Sequence, residues 1–311
     1  MQIQRYSSEY RFIWNDFIES SKNGHFFFNR NFMEYHENSF EDFSLMFFSE
    51  KKLVAVLPAN IKSNILYSHQ GLSFGGLITN KLMKTELMLE IFEEMMKFLK
   101  QSGVIKMLYK CVPHTYHLLP ADEDKYALFR NNAKLVRRDV SSTIFIRNKL
   151  NLQSQRKRAI ERAKKNKLIF EESKNYKDFW KILSFNLISK FNVAPVHNLT
   201  DIVKLVNLFP KNIKLFIARK ENDIHGGAVI FENKNIAHTQ YLVNTADGRK
   251  IGALDLVINE LITNIYKHKL FFSLGISNEN NGKILNSGLI NQKEGFGASA
   301  VSHDFYELLI K

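Results

Sequence analysis

The sequence predicts a mixed α/β fold of two similar units packed side by side, each a mostly antiparallel sheet flanked by helices. Length is the first reason: 311 residues leave room for two domains of about 150 residues each. Composition is the second. Apolar residues are 45% and charged residues 24%, ordinary for a chain with a real core, which excludes disorder, collagen-like repeats and coiled coil. The third is element order. Helix, helix, strands, helix, strand, helical segment, strand can be read once in each half, although the halves do not match residue by residue. The boundary gives an N-terminal domain, 1–150, and a C-terminal domain, 151–311, that opens on a basic helix at 151–167.

In the first half, residues 10–20 bring Trp14, Phe17 and Ile18 to one side of a helix, and 30–38 read as a second helix. Residues 43–49 and 52–61 alternate like strands around the charged turn Ser49-Glu50-Lys51. A long helix over 81–101 carries Leu82, Leu89, Phe92, Met96 and Leu99 on one side, with Gly103 as its stop. Residues 104–112 read as a buried strand, 122–131 as a helix and 140–147 as a strand. The second half begins with a strand at 168–172 and helices at 176–191 and 200–209. A meander of strands follows at 213–220, 224–232 and 236–244, turning at Glu221-Asn222-Asp223 and Asn233-Lys234-Asn235. A helix over 252–268, a strand over 271–276, a broken segment and a last strand near 300–310 complete it.

Lys and Arg outnumber Asp and Glu by 44 to 31, a net charge of +13, which favours an anionic partner. Much of the excess is local: residues 147–167 hold nine Lys and Arg against Glu161 alone. Leu152, Arg156, Ala159, Ile160 and Ala163 recur there at helical spacing, a thin apolar stripe on a cationic helix. One cysteine, Cys111, cannot form an internal disulfide, which suits a reducing compartment. Cys111, His114 and His117 are spaced like metal ligands, but Pro113 interrupts them. Zinc wants a fourth ligand or a catalytic water, so no metal is expected. The start, MQIQRYSSEYRF, has no basic segment leading into an apolar one. No window approaches the roughly 18 uninterrupted apolar residues of a membrane span. A cytoplasmic chain without a span is the expectation.

The most informative stretch is IAHTQYLVNTADGRKIGALDLVINELI, residues 236–262. A strand ends in a polar turn with Gly248 and Gly252, and an apolar-periodic helix follows at once. Exposed N–H groups at a helix start, with Arg249 and Lys250 beside them, make a phosphate site. The run Arg249-Lys250-Ile251-Gly252-Ala253 resembles the Gln/Arg-x-x-Gly-x-Gly/Ala segment of the GNAT acetyltransferases, with Leu254 where Gly or Ala is usual. The resemblance implies acyl-CoA as co-substrate, its pyrophosphate held by these five residues.

Gly288-Leu289-Ile290-Asn291-Gln292-Lys293-Glu294-Gly295-Phe296-Gly297 resembles the Gly-Leu-x-x-x-Lys-x-Gly-Phe-Gly stretch of the FemABX peptidyltransferases, which are built from two GNAT-like domains. The basic helix QRKRAIERAKKNK is similar to their junction pattern Arg-x-x-Ile-x-x-Ala-x-Lys. This resemblance implies two tandem GNAT-like domains and places Lys293 in the active site. The pattern also resembles sugar N-acyltransferases of the same architecture in bacterial surface-polysaccharide pathways. That implies transfer of an acyl group, acetyl or 3-hydroxyacyl such as 3-hydroxybutanoyl, to the amine of a nucleotide-linked amino sugar such as a dTDP-3-amino-3,6-dideoxyhexose.

Acyl transfer to an amine needs a route for the amine's proton, support for the oxyanion and a proton for the leaving thiolate. His69, in a glycine-rich segment after a strand, is a candidate base or sugar ligand, and Glu279, in a polar turn, is another. Each reads equally as a loop residue. Tyr241, on the strand before the phosphate turn, is the candidate acid, or a packing residue. Lys293 is the candidate for the oxyanion or a phosphate. Phe74, Gln240, Asn278, Asn286 and Phe296 are the substrate-binding candidates. A second reading keeps the fold but takes aminoacyl-tRNA as donor and a peptidoglycan precursor as acceptor, with RNA phosphates on the basic helix. A third is a non-enzymatic nucleic-acid-binding protein. The aromatics disfavour it, since they fall on core-like periodic positions and are not interleaved with Lys and Arg.

Overall fold

The computed structural model describes the backbone of residues 1–311 and the side chains of all but residues 36–38 and 191. Two compact units make up the chain. The first is Met1–Val140 with Asn278–Ile284 and Ser302–Lys311; the second is Ser141–Ser277 with Leu285–Val301. They differ from contiguous halves in that the segment 278–284 and the last strand from Ser302 onward fold with the N-terminal residues.

The first unit contains β1 (Gln2–Arg5), α1 (Arg11–Ser20), α2 (Arg30–Met33), β2 (Glu41–Asp42), β3 (Leu45–Ser49) and β4 (Lys52–Leu57). It continues with β5 (Asn60–Lys62), β6 (Ile65–Tyr67), β7 (Ile78–Thr79), α3 (Thr85–Gln101), β8 (Lys106–Lys110) and α4 (Glu123–Arg130). Strand β9 (Lys134–Phe145) leads into the second unit, which holds α5 (Ser154–Lys165), β10 (Ile169–Ser173), α6 (Tyr176–Phe191) and α7 (Leu199–Leu208). Next come β11 (Ile213–Lys220), β12 (Asp223–Glu232), β13 (Ile236–Asn244), α8 (Ala246–Ile251), α9 (Ala253–Glu260) and β14 (Phe271–Ile276). The short β15 (Asn278–Glu279) and β16 (Ile284–Leu285) precede α10 (Ser287–Glu294) and β17 (Ser299–Leu309).

In the first unit one sheet runs β1-β3-β4-β7, and a second run of strands is ordered β17-β8-β6-β5-β2. The pairings among the described residues there are antiparallel except β6 with β8. The expected single strand over 52–61 is two strands in different sheets, because Pro58 has no N–H to give to a ladder. Helix α3 puts Met88, Ile91, Phe92, Met95 and Leu99 into the core with Leu45, Phe47 and Met107, the i, i+3, i+4, i+7 stripe of an amphipathic helix. It starts at Thr85, so Leu82 lies before it and is 80% exposed, a correction to the expected apolar face. The helix expected over 30–38 is α-helical only to Met33 and continues as a 3₁₀ turn over Glu34–Ser39.

The turn between β3 and β4 makes a stability prediction. Ser49 pairs with Lys52, so Glu50 and Lys51 form a two-residue loop, with φ of 49° and 64°. Both are left-handed, the geometry that Asn-Gly adopts at least cost. E50N/K51G is expected to stabilise the protein by about 1 kcal/mol. A thermal melt with Tm unchanged or lower would contradict this.

The second unit has one sheet ordered β10-β11-β12-β13-β14 with the end of β9 beside β14. Every pairing is antiparallel except β13 with β14. Leu256, Val257 and Leu261 pack with Phe216, Ile230 and Phe272 in its core. The expected helix over 252–268 starts earlier and is broken. Thr245 caps α8 by accepting from Gly248 N–H, Gly252 at φ 83° ends it, and α9 begins directly. A π-helical turn, Leu261–Ile265, follows α9. The expected broken segment contains α10. Strand β9 begins at Lys134, six residues ahead of the expected start at 140.

Candidate active site

The one parallel pair in the second unit opens a wedge. Only Ile236, Ala237 and His238 of β13 pair with β14, opposite Phe271, Phe272 and Ser273. Beyond them β13 stays with β12 as far as Asn244, while β14, paired with β9 from Phe271, continues along it past an irregularity to Ile276 opposite Ser141. A cavity of about 280 Å³ fills the gap, bounded by Leu242, Val243 and Asn244 of β13 and Leu274 of β14. Helix α6 closes one side with Leu183, Asn186, Leu187 and Lys190, α9 adds Leu254 and Ile258, and Gln292, Lys293 and Phe296 form the far wall. A second hollow of about 360 Å³ shares Asn186, Lys190 and Arg249 with the first and adds Lys181, Phe185 and the start of α8.

Lys293 sits in α10, which Asn286 caps by accepting from Leu289 N–H at 3.0 Å. Its ammonium donates to the carbonyls of Gly275 at 3.0 Å and Ile276 at 2.6 Å, where β14 has left β13. Only 7% of the residue is exposed, and burial pulls its pKa down to about 8. Arg249 donates to the Asn244 carbonyl at 2.9 Å, which also accepts from Asn186 at 3.3 Å. Across both hollows the described lining residues include the cations Lys181, Lys190, Arg249 and Lys293 and no Asp, Glu, His or Cys. The space therefore favours an anionic group at one end and an apolar one in the wedge.

The expected turn over residues 249–251 is a helix, which is a correction to the local structure. Residues Arg249, Lys250 and Ile251 are wound into α8, where Arg249 N–H is spent on Thr245 O. Lys250 pairs with Asp247 on the surface. Gly252 serves packing: a Cβ there would lie 2.1 Å from the Ala159 carbonyl oxygen of α5, and Ala253 behind it is fully buried. Among these five residues only Arg249 lines the hollows.

Helix α5 and the C-terminal glycine motif meet. Arg156 pairs with Asp255 of α9 at 2.7 Å and lies 5.6 Å above the Phe296 ring. Gln153 N–H donates to Gly295 O. At Gly297, φ is 85° and a Cβ would lie 2.5 Å from Leu150 O. The two stretches singled out in the sequence thus form one packing unit behind Lys293.

Of the sequence candidates, the wedge brings together Lys293, Phe296 and Arg249. Tyr241 is outside its lining: the hydroxyl lies 2.5 Å from His197 Nδ1, the ring packs edge-on to Trp180, and burial pushes its pKa up to about 12. Gln240 lies at the β12–β13 bulge, its Oε1 without a partner among the described residues. His69, Phe74, Asn278 and Glu279 belong to the first unit. There His69 Nδ1 accepts from Gly71 N–H at 3.2 Å, Phe74 packs 4.4 Å from Tyr116, and Asn278 Oδ1 accepts from Val140 N–H at 2.5 Å. Asn186, Lys190, Asn244 and Gln292 were not anticipated. A signal for two of them exists: Leu183, Asn186, Leu187 and Lys190 follow i, i+3, i+4, i+7 with polar residues in two places of an apolar stripe. Among the described residues no group of three or more His, Cys, Asp and Glu is placed to hold a metal ion. No described helix is long and apolar enough to cross a membrane.

No family model matches the sequence, and no curated protein matches it. Solved structures do. FemX is similar over 99% of this chain and 97% of its own, with a TM-score of 0.71 at 9% identity. L-PGS from Bacillus licheniformis is similar over 99% and 93%, with a TM-score of 0.64 at 11% identity. A tandem GNAT protein from the clavulanic acid biosynthesis pathway is similar over 100% and 98%, with a TM-score of 0.51 at 9% identity. Identities this low speak for fold. With two mixed, mostly antiparallel units and these likenesses across nearly the whole of each chain, the protein has a tandem GNAT fold related to that of FemX.

Proposed function

We propose that the protein is an N-acyltransferase that moves an acyl group from acyl-CoA to the amine of a nucleotide-linked amino sugar. The observation that carries this reading is the wedge and its adjoining hollow, apolar inside and lined by four cations with no acid among the described residues. Lys181, Lys190 and Arg249 would meet the phosphates in the outer hollow. Leu242, Leu254 and Phe296 would enclose the chain that leads inward. The thioester supplies an activated acyl carbonyl. Lys293, as ammonium, keeps two N–H groups on Gly275 and Ile276 and offers the third to the oxyanion. With no carboxylate or imidazole lining the wedge, the amine's proton passes to water, and much of the rate comes from positioning.

The test is release of free thiol from acetyl-, 3-hydroxybutanoyl- and longer acyl-CoA, with and without dTDP- and UDP-linked 3- and 4-amino sugars. Release that requires one amino sugar is expected. Silence across the panel with folded protein would overturn the donor assignment.

A second reading, an aminoacyl-tRNA donor with a peptidoglycan precursor as acceptor, is favoured by α5. Lys157, Arg158, Arg162 and Lys165 are all exposed on it, and the N–H groups of Arg249 and Gly252 are already bonded to the carbonyls of Thr245 and Gly248. In that case binding of tRNA falls steeply with salt, and thiol release is absent.

A further inference from the structure

We propose that Lys293 is itself an acyl-accepting site: when no acceptor amine is bound, its side chain takes the acyl group from the donor in the wedge. This rests on the reading of the wedge as an acyl-transfer site. The geometry of the side chain is the reason. Nζ lies 3.0 Å from Gly275 O and 2.6 Å from Ile276 O. A neutral amine in that place has both N–H groups tied to carbonyls, so its one remaining tetrahedral position carries the lone pair. In the ammonium form that same position carries the third N–H. Protonation therefore switches one atom between supporting an oxyanion and attacking an acyl carbon.

Burial makes the neutral form of Lys293 easier to reach than that of a lysine in water. No carboxylate is paired with Lys293 among the described residues, and burial lowers its pKa to about 8. Lysines removed from water in apolar sites are the ones that act as nucleophiles. Lys181, by contrast, is exposed and paired with Asp178.

The step balances without a further reagent. The Nζ lone pair attacks the thioester carbonyl carbon, the C–N bond forms, and the C–S bond breaks with its electron pair on sulfur. One proton leaves nitrogen for the thiolate or solvent. The product is a neutral amide with a single N–H, so one of the two carbonyls loses its donor and the wedge loses a positive charge. An acylated Lys293 no longer supports the oxyanion, and the protein is switched off.

The experiment labels the full-length protein without acceptor, in parallel, with acetyl-CoA and with a small activated ester, N-hydroxysuccinimidyl acetate, at limiting dose. Peptide mass spectrometry then assigns the acetylated lysines over a pH series. Lys293 is expected to be the dominant site with acetyl-CoA. With the ester it is expected to react at least about tenfold faster than exposed Lys157 or Lys181 near pH 7.5, because burial lowers its own pKa to about 8. Its rate should level off above about pH 8, and Lys293→Arg should remove the site without changing the labelling of Lys157. Labelling by the ester alone sustains the nucleophile and overturns the acyl-CoA reading. Modification confined to surface lysines with both reagents overturns the proposal.

Discussion

Lys293→Ala is expected to lower turnover about 100-fold while the protein remains folded, the cost of removing one donor from an oxyanion. The loss should fall on kcat, since the third N–H is used as charge develops on the acyl oxygen and little before. Lys293→Met, which keeps length and removes the charge, should lose as much, and Lys293→Arg should retain part of it. The pH profile adds a readout that a packing role would not move. In the proposed mechanism the ammonium is the working form, so turnover should fall as pH rises through about 8, the value to which burial lowers this lysine. The alanine variant should lack that fall. Stability runs the other way. The unfolded lysine titrates near 10.4, so between about 8 and there the unfolded chain binds the extra proton, and stability rises with pH. Below about 8 both states are protonated, and the penalty for the buried charge is fully present. Near-normal kcat in Lys293→Ala, with an unchanged pH profile, would remove this residue from the chemistry.

Why the sequence singles out Lys293 and not most of the cavity around it follows from what each feature depends on. Strands β11, β13 and β14 and helix α6 lie where the sequence places them, because each is an apolar pattern bounded by polar turns. Helix α10 has no such pattern: Leu289 and Ile290 are its only large apolar residues. What holds it is the Asn286 cap and the bonds from Lys293 to the end of β14, contacts with no periodicity. Residues Arg249 to Ile251 read as a turn and are helical for a related reason. A strand, a polar stretch with glycines and an apolar helix look alike whether the polar amides are open or already wound. Thr245, accepting from Gly248 N–H, starts the helix at Ala246, well before Gly252. His69 and Glu279 share a deeper limit. Polar residues after strands are candidates wherever they occur, and only the fold assigns them to one unit or the other.

Gly252 separates the two meanings of a glycine in such a motif. If it were there for a phosphate, Gly252→Ala would raise KM for the donor and leave Tm alone. The geometry predicts the reverse. At φ 83° any side chain is strained, and a Cβ would stand 2.1 Å from the carbonyl oxygen of Ala159. That atom is backbone in the middle of α5, so no rotamer change relieves the clash and the helix must move. Strain of about 1 kcal/mol for the left-handed residue adds to displacement of a packed helix. A total of about 3 kcal/mol is expected, which lowers Tm by roughly 6–12 °C at this domain size. The movement has somewhere to go. Helix α5 holds α9 through Arg156 and Asp255, covers Phe296 with the same guanidinium, and joins the end of α10 through Gln153 and Gly295. Turnover in Gly252→Ala should therefore fall below the melting range too, through kcat rather than donor KM, because the wall that carries Lys293 shifts with α5. A variant with wild-type Tm and a selective rise in donor KM would return Gly252 to the phosphate and leave the packing account without support.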